Sequence, residues 1–285
     1  MNVRNVAAGD TLFLLRETGQ GDGTPVLLLH GIPETSTAWR DLAPALAVSG
    51  RRVLAPDLPG LGGSSYSGPY DVASVTKQVV ALLDSELPGQ RVDVVGHDWG
   101  GSVALGLAGA YPDRVRRLAV ANTVYRTVNL VRAAHIPFFS LPVAPELLFR
   151  LGGSRVVETM LRLGWKSHVV LDPEARAEYV AAYSEPEKVR AALGYYRAAT
   201  RPRIKAALHL GAAAKGAPRV KAEEMLVLWG AADMVLPISI GESIVKDLGA
   251  SCSMVTVPGA GHFVIEEAPD VVRETLSRFL ADAPA

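Results

Sequence analysis

The sequence predicts an α/β protein: a mostly parallel central sheet flanked by helices and interrupted by a block of inserted helices. Three observations carry this. Short apolar runs bounded by Gly, Pro and Asp alternate with segments of helical apolar spacing over the first 120 or so residues. From about Tyr125 to about Ala217 the alternation stops, and Ala, Arg and Leu recur with little strand signal. Strand character then returns in EMLVLWGAAD and CSMVTVPGAGH. Residues 1–125 and 217–285 are therefore read as one core and 126–216 as a helical lid. With 285 residues, 49% of them hydrophobic and 20% charged, the chain can bury a sizeable core and is not a disordered protein.

Taken in order, TLFLLRE and PVLLLHG are apolar runs on either side of GQGDGT, which has turn chemistry. RDLAPALAVSG reads as a helix stopped by Gly50, and RRVLAPDLPGLGGSS as a strand entering a Gly/Pro loop. In the next segment Val72, Val75, Val79, Leu82 and Leu83 fall on one helical face. RVDVVGHDWGGSVALGLAGAYP is strand, sharp turn and helix, and VRRLAVANT a further buried strand. AAAKGAP is the expected hinge back to the sheet, and VVRETLSRFLADAPA the closing amphipathic helix.

Composition narrows the function. Lys and Arg total 29 against 29 Asp and Glu, so there is no net field to attract nucleic acid or an anionic membrane. Cys252 is the single cysteine, which excludes an intramolecular disulfide and a cysteine-based zinc site. Neither a clustered ligand set nor a dinucleotide fingerprint is present, so no metal or cofactor is expected. The N-terminal segment lacks a signal-peptide pattern and no apolar run reaches membrane-spanning length; the expectation is a soluble, cytoplasmic protein.

The chemistry concentrates in VDVVGHDWGGSVA. An apolar strand runs into Gly96-His97-Asp98-Trp99-Gly100-Gly101 and a helix of small residues follows, the layout of a nucleophile elbow with Asp98 where a Ser is usual. The alternative role for Asp98 is a helix N-cap. A carboxylate is a poor catalyst of ordinary ester cleavage, but it can attack an electrophilic sp³ carbon and form a covalent ester.

This motif resembles the α/β-hydrolase superfamily, specifically its epoxide hydrolase and haloalkane dehalogenase branch. HGIP at 30–33, APDLPGLGGS at 55–64, WGAAD at 229–233 and GAGHF at 259–263 extend the resemblance along nearly the whole chain. It implies Asp98 as nucleophile, His262 as the base that activates water and Asp233 as the acid behind it, in the order nucleophile, acid, His. Some dehalogenases carry the acid one strand earlier, where this chain has Asn122, which has no charge to offer an imidazolium. The amides of Ile32 and Trp99 are the implied oxyanion hole, and Pro33 is expected to follow a cis bond.

Around the substrate, a small apolar molecule attacked with the help of water, the expected residues are His30 (chiefly structural), Pro33, Trp99, Phe138, Phe139 and Trp165, the last as the candidate second N–H donor for a halide. An epoxide needs a proton for its ring oxygen, whereas a halide needs N–H donors. GYYR at 194–197 is similar to the lid tyrosine motif of epoxide hydrolases; Tyr196 matches better and Tyr195 remains an alternative. Where a first lid tyrosine is expected the chain has Phe138 and Phe139, which leaves Tyr125 and Tyr183 as weaker candidates. For a halide, Ile32 lacks the side-chain donor many dehalogenases have there. The epoxide is preferred over the halide, and a non-hydrolytic binding protein is the reading from another class.

Overall fold

The computed structural model describes residues 1–126, 135–207 and 219–281. Its centre is an eight-stranded sheet of order β1-β2-β4-β3-β5-β6-β7-β8. β1 (Asn2–Ala8), β2 (Thr11–Thr18) and β4 (Arg51–Pro56) pair antiparallel at one edge. From β4 onward the pairs through β3 (Gly23–Leu29), β5 (Val92–His97), β6 (Val115–Ala121), β7 (Glu224–Gly230) and β8 (Cys252–Val257) are parallel.

β1 departs from the sequence reading, which starts the sheet at TLFLLRE. NVRNVAA is an edge strand with only Val6 and Ala8 buried, so it lacks an apolar run. Its register comes from a two-residue hairpin at Gly9-Asp10, where Gly9 has φ +57°. The two runs flanking GQGDGT are both strands, but they are not neighbours, because β4 lies between them.

The pleat sends alternate residues of the central strands to opposite faces. Leu27, Leu29 and Val94 join one apolar cluster with α2 (Val72–Glu86) and α3 (Trp99–Ala110). Val26, Leu28 and Val95 join another with α1 (Leu42–Ala47) and, near the C-terminus, the helix Pro269–Leu280. α2 forms where predicted: Asp71 caps it by accepting from Ser74 N at 3.0 Å, and Val75, Val79, Leu82 and Leu83 are buried.

Between β6 and β7 come α4 (His135–Phe139), α5 (Ala144–Gly152), α6 (Ser154–Gly164), α7 (Pro173–Ala181) and α8 (Pro186–Ala207). α7 is tied to the sheet side of the molecule by Glu178, which accepts from Thr35 Oγ1 at 2.5 Å and pairs with Arg16 at 2.8 Å. The AAAKGAP hinge and the 216/217 boundary lie outside the described residues. After β7 the chain adds α9 (Ile238–Leu248), α10 (Val264–Glu267) and α11 (Pro269–Leu280). Among the described residues, no helix is long and apolar enough to cross a membrane.

Candidate active site

Five candidate groups sit just beyond the carboxyl ends of parallel strands: Ile32 after β3, Asp98 after β5, Asn122 after β6, Asp233 after β7 and His262 after β8. Such sheet ends are where α/β proteins gather their chemistry.

Asp98 has φ +50° and ψ −118°, a conformation costly for a residue with a Cβ. The surroundings hold it there. Asp98 N donates to Ala121 O at 3.1 Å, and its carbonyl accepts from Thr123 Oγ1 at 2.6 Å. Gly100 lets the helix press against β3, since a Cβ there would run into the Leu29 carbonyl oxygen. The Asp98 side chain makes no capping bond to α3. Its Oδ1 instead accepts from Ile32 N at 3.0 Å, and its Oδ2 lies 3.5 Å from His262 Nε2.

His262 Nδ1 is 2.9 Å from Asp233 Oδ2. Asp233 is itself immobilised: Oδ1 accepts from Val235 N at 2.7 Å and Leu236 N at 2.9 Å, while Asn122 Nδ2 donates to Oδ2 at 2.6 Å. The dehalogenase-like acid position is thus occupied by an amide that braces Asp233. Burial alone would lower the His262 pKa, but the charges and hydrogen bonds of Asp233 and Asp98 push it up to about 10. Burial raises both carboxyls, and the His262 interactions outweigh it, so Asp98 and Asp233 lie below their ordinary values.

Two further groups hold the His262 loop, and sequence reading passed over both. His97 Nε2 donates to the His262 carbonyl at 2.8 Å, and its Nδ1 is 2.7 Å from buried Glu34 Oε2. With an acceptor at each nitrogen the ring favours its cation; Glu34 overcomes the effect of burial and raises the His97 pKa. Glu267 is buried and accepts four backbone N–H groups: Gly261 at 2.9 Å, Phe263 at 3.0 Å, Lys166 at 2.6 Å and Ser167 at 2.7 Å. It joins the His262 loop to the loop after α6. An IEE triplet in sequence carries no sign of this.

Above Asp98 lies a cavity of about 330 Å³. Asp98, His262, Ile32, Pro33, Tyr196 and Phe139 are among its inner lining, and Ile32-Pro33 is cis. Of the two adjacent tyrosines Tyr196 faces this space; the Tyr195 hydroxyl donates to Pro59 O at 2.8 Å and is turned away. Burial and the Asp98 charge raise the Tyr196 pKa, against an opposing hydrogen bond from Trp99. His135 also lines the cavity, with its ring centroid 6.2 Å from that of Tyr196 and edge-on to it; burial drops its pKa to about 4.

Several expected substrate contacts are corrected. His30 is wholly buried, donating through Nδ1 to Gly31 O and accepting at Nε2 from Leu58 N, and does not reach the cavity. Phe138 is exposed and packs on Phe139. Trp165 stacks on Phe263 and donates to Val169 O, lining an outer groove. The Trp99 indole wedges between Tyr195 and Tyr196 and borders a separate cavity of about 370 Å³ shared with Tyr125. Tyr183 lines a third cavity, against Phe149. Among the described residues, no cluster of His, Cys, Asp and Glu could hold a metal ion.

A family model described as alpha/beta hydrolase fold matches residues 24–269. The chain belongs to the α/β-hydrolase family. Within it, this α/β-hydrolase is 32% identical over 280 residues to a soluble epoxide hydrolase from Corynebacterium sp. (strain C12), covering 92% of this chain and 91% of the relative. The solved epoxide hydrolase A from Mycobacterium thermoresistibile superposes with a TM-score of 0.79 at 28% identity, over 98% of both chains. A haloalkane dehalogenase from Psychrobacter cryohalolentis is 37% identical over 114 residues, covering 39% of this chain and 37% of the relative. This α/β-hydrolase is an epoxide-hydrolase-like enzyme.

Proposed function

We propose that the protein opens an epoxide to a vicinal diol by way of a covalent ester on Asp98. One observation carries this reading: a carboxylate at a strained turn faces a small cavity, with a buried His262–Asp233 pair on one side and the Tyr196 phenol lining the same space. The helices between β6 and β7 act as the lid that supplies Tyr196 and His135.

An Asp98 oxygen attacks a ring carbon, the carbon–oxygen bond of the epoxide breaks, and the alkoxide takes the Tyr196 proton. Tyr196 keeps that proton until it is needed, because its pKa is raised. His135 is neutral at pH 7 and donates a hydrogen bond to the same oxygen. Esterification removes the Asp98 charge, one of the interactions that raise the His262 pKa. His262 therefore sheds its proton to the Tyr196 phenolate and becomes the base for water.

Hydroxide adds to Cγ of Asp98, with the oxyanion facing the amides of Ile32 and Trp99. Trp99 opens α3, so its amide has no partner within the helix. Collapse expels the diol alkoxide, which takes the proton from the new carboxyl group. His262 is left protonated and Asp98 ionised, as at the start. The halide reading has less support: the Trp99 indole is engaged with Tyr196 and Ile32 offers no side-chain donor.

The test is product analysis with styrene oxide and 1-chlorobutane in parallel. The proposal expects the phenyl diol and little chloride, with Asp98→Asn inactive until its amide deamidates; chloride release without diol would replace it with the dehalogenase reading.

A further inference from the structure

We infer that Lys166 makes the cavity selective for epoxides that carry an anionic group, such as a carboxylate, on the end remote from the ring. The inference rests on the epoxide reading and adds a substrate class to it.

The two ends of the cavity differ in character. Asp98, His262 and Tyr196 are buried at its floor, whereas its rim is formed by Leu163, 59% exposed, Met234, 73% exposed, and the exposed Lys166. The intervening wall is largely apolar, with Phe139, Met160 and Phe263. The Lys166 ammonium has no hydrogen-bond or ion-pair partner among the described residues, unlike the neighbouring acid and His groups, which satisfy one another.

Its stem is also placed. Glu267 binds the amides of Lys166 and Ser167, and Gly164 O accepts from His262 N at 2.8 Å, so the backbone carrying Lys166 is pinned to the loop carrying His262. The ammonium therefore swings about a root fixed relative to the reacting atoms. The floor repels anions, since Asp98 is ionised and the His262 cation is already shared between two carboxylates. A substrate with an apolar middle, an epoxide at one end and an anion at the other has one favourable orientation, with the ring inward and the anion at Lys166.

The experiment compares kcat/KM for styrene oxide and its para-carboxylate. A solvent-facing pair contributes modestly, so the wild type should favour the carboxylate about fivefold at low salt, with the preference fading near about 0.5 M salt. Lys166→Met should bring the ratio to about one, Lys166→Glu should invert it and Lys166→Arg should keep it. A wild-type ratio of one, or a preference that survives Lys166→Met, overturns the inference while diol formation leaves the reaction assignment standing. If neither epoxide yields diol, the reaction assignment fails, and calorimetric binding of the two product diols decides this inference alone. Tighter binding of the carboxylate diol that depends on Lys166 supports it, and equal binding overturns it.

Discussion

The strand ends and the inserted helices contribute to one cavity in different ways. Asp98, Asp233 and His262 are held by backbone hydrogen bonds from neighbouring strands and loops, and each has at least two fixed partners. Tyr196 and His135, from α8 and α4, are positioned mainly by aromatic packing: Trp99 at 5.2 Å and Phe139 at 5.1 Å from the Tyr196 ring, and Tyr196 itself against His135. The insertion also leaves Leu147, Leu148 and Leu151 of α5 turned to solvent. Reacting atoms that must meet within a few tenths of an ångström are placed by directional bonds. In the proposed mechanism, the groups that select and protonate the ligand are placed by packing, which tolerates small shifts.

Substitutions on the two sides should therefore differ in size and in kind. Asp98→Ala should remove diol formation by at least about a thousandfold, with unchanged near-ultraviolet circular dichroism. His262→Gln should reduce steady-state turnover by about 10²–10⁴-fold while leaving the first chemical step, seen as a burst of consumed epoxide equal to the enzyme concentration. Loss of the burst would mean that His262 acts before the ester forms. On the lid side, Tyr196→Phe should cost about 10²-fold in kcat, the low end for a proton donor, with His135 still present. The double variant with His135→Phe should fall further, and a double variant no slower than Tyr196→Phe would remove His135 from the mechanism.

A smaller effect separates bracing from chemistry. Asn122→Ala removes the amide on Asp233 Oδ2 and should shift the alkaline dependence of ester hydrolysis in single turnovers, with KM nearly unchanged. A change confined to KM would assign Asn122 to binding instead. Smallest is the link to stability. The folded-state pKa of His262, about 10, stands above its ordinary 6.5, so its stabilising contribution is complete below pH 6.5 and is lost as the pH rises toward 10. Tm should fall between pH 7 and 10, and His262→Gln should flatten that fall.

Much of the core side was legible because its signals are local. An apolar strand running into GHDWGG announces a turn, and a Gly-rich loop after the last strand brings His262 to the same sheet edge. The lid side was less so. Adjacent residues on a helix point about 100° apart, and a sequence cannot say which of Tyr195 and Tyr196 turns inward; the Pro59 carbonyl decides it. His135 has no local mark in sequence, since it reaches the cavity only through the packing of α4 against Tyr196. Glu267, Glu34 and His97 act through contacts 63 to 165 residues apart in sequence or through several backbone amides at once, patterns with no local mark.

The proposed reaction requires a covalent bond between the substrate and Asp98. Rapid quenching of His262→Gln with styrene oxide, followed by proteolysis and mass spectrometry, should find the peptide containing Asp98 heavier by one molecule of epoxide. An unmodified Asp98 peptide during active diol formation, or the added mass on another residue, would contradict it.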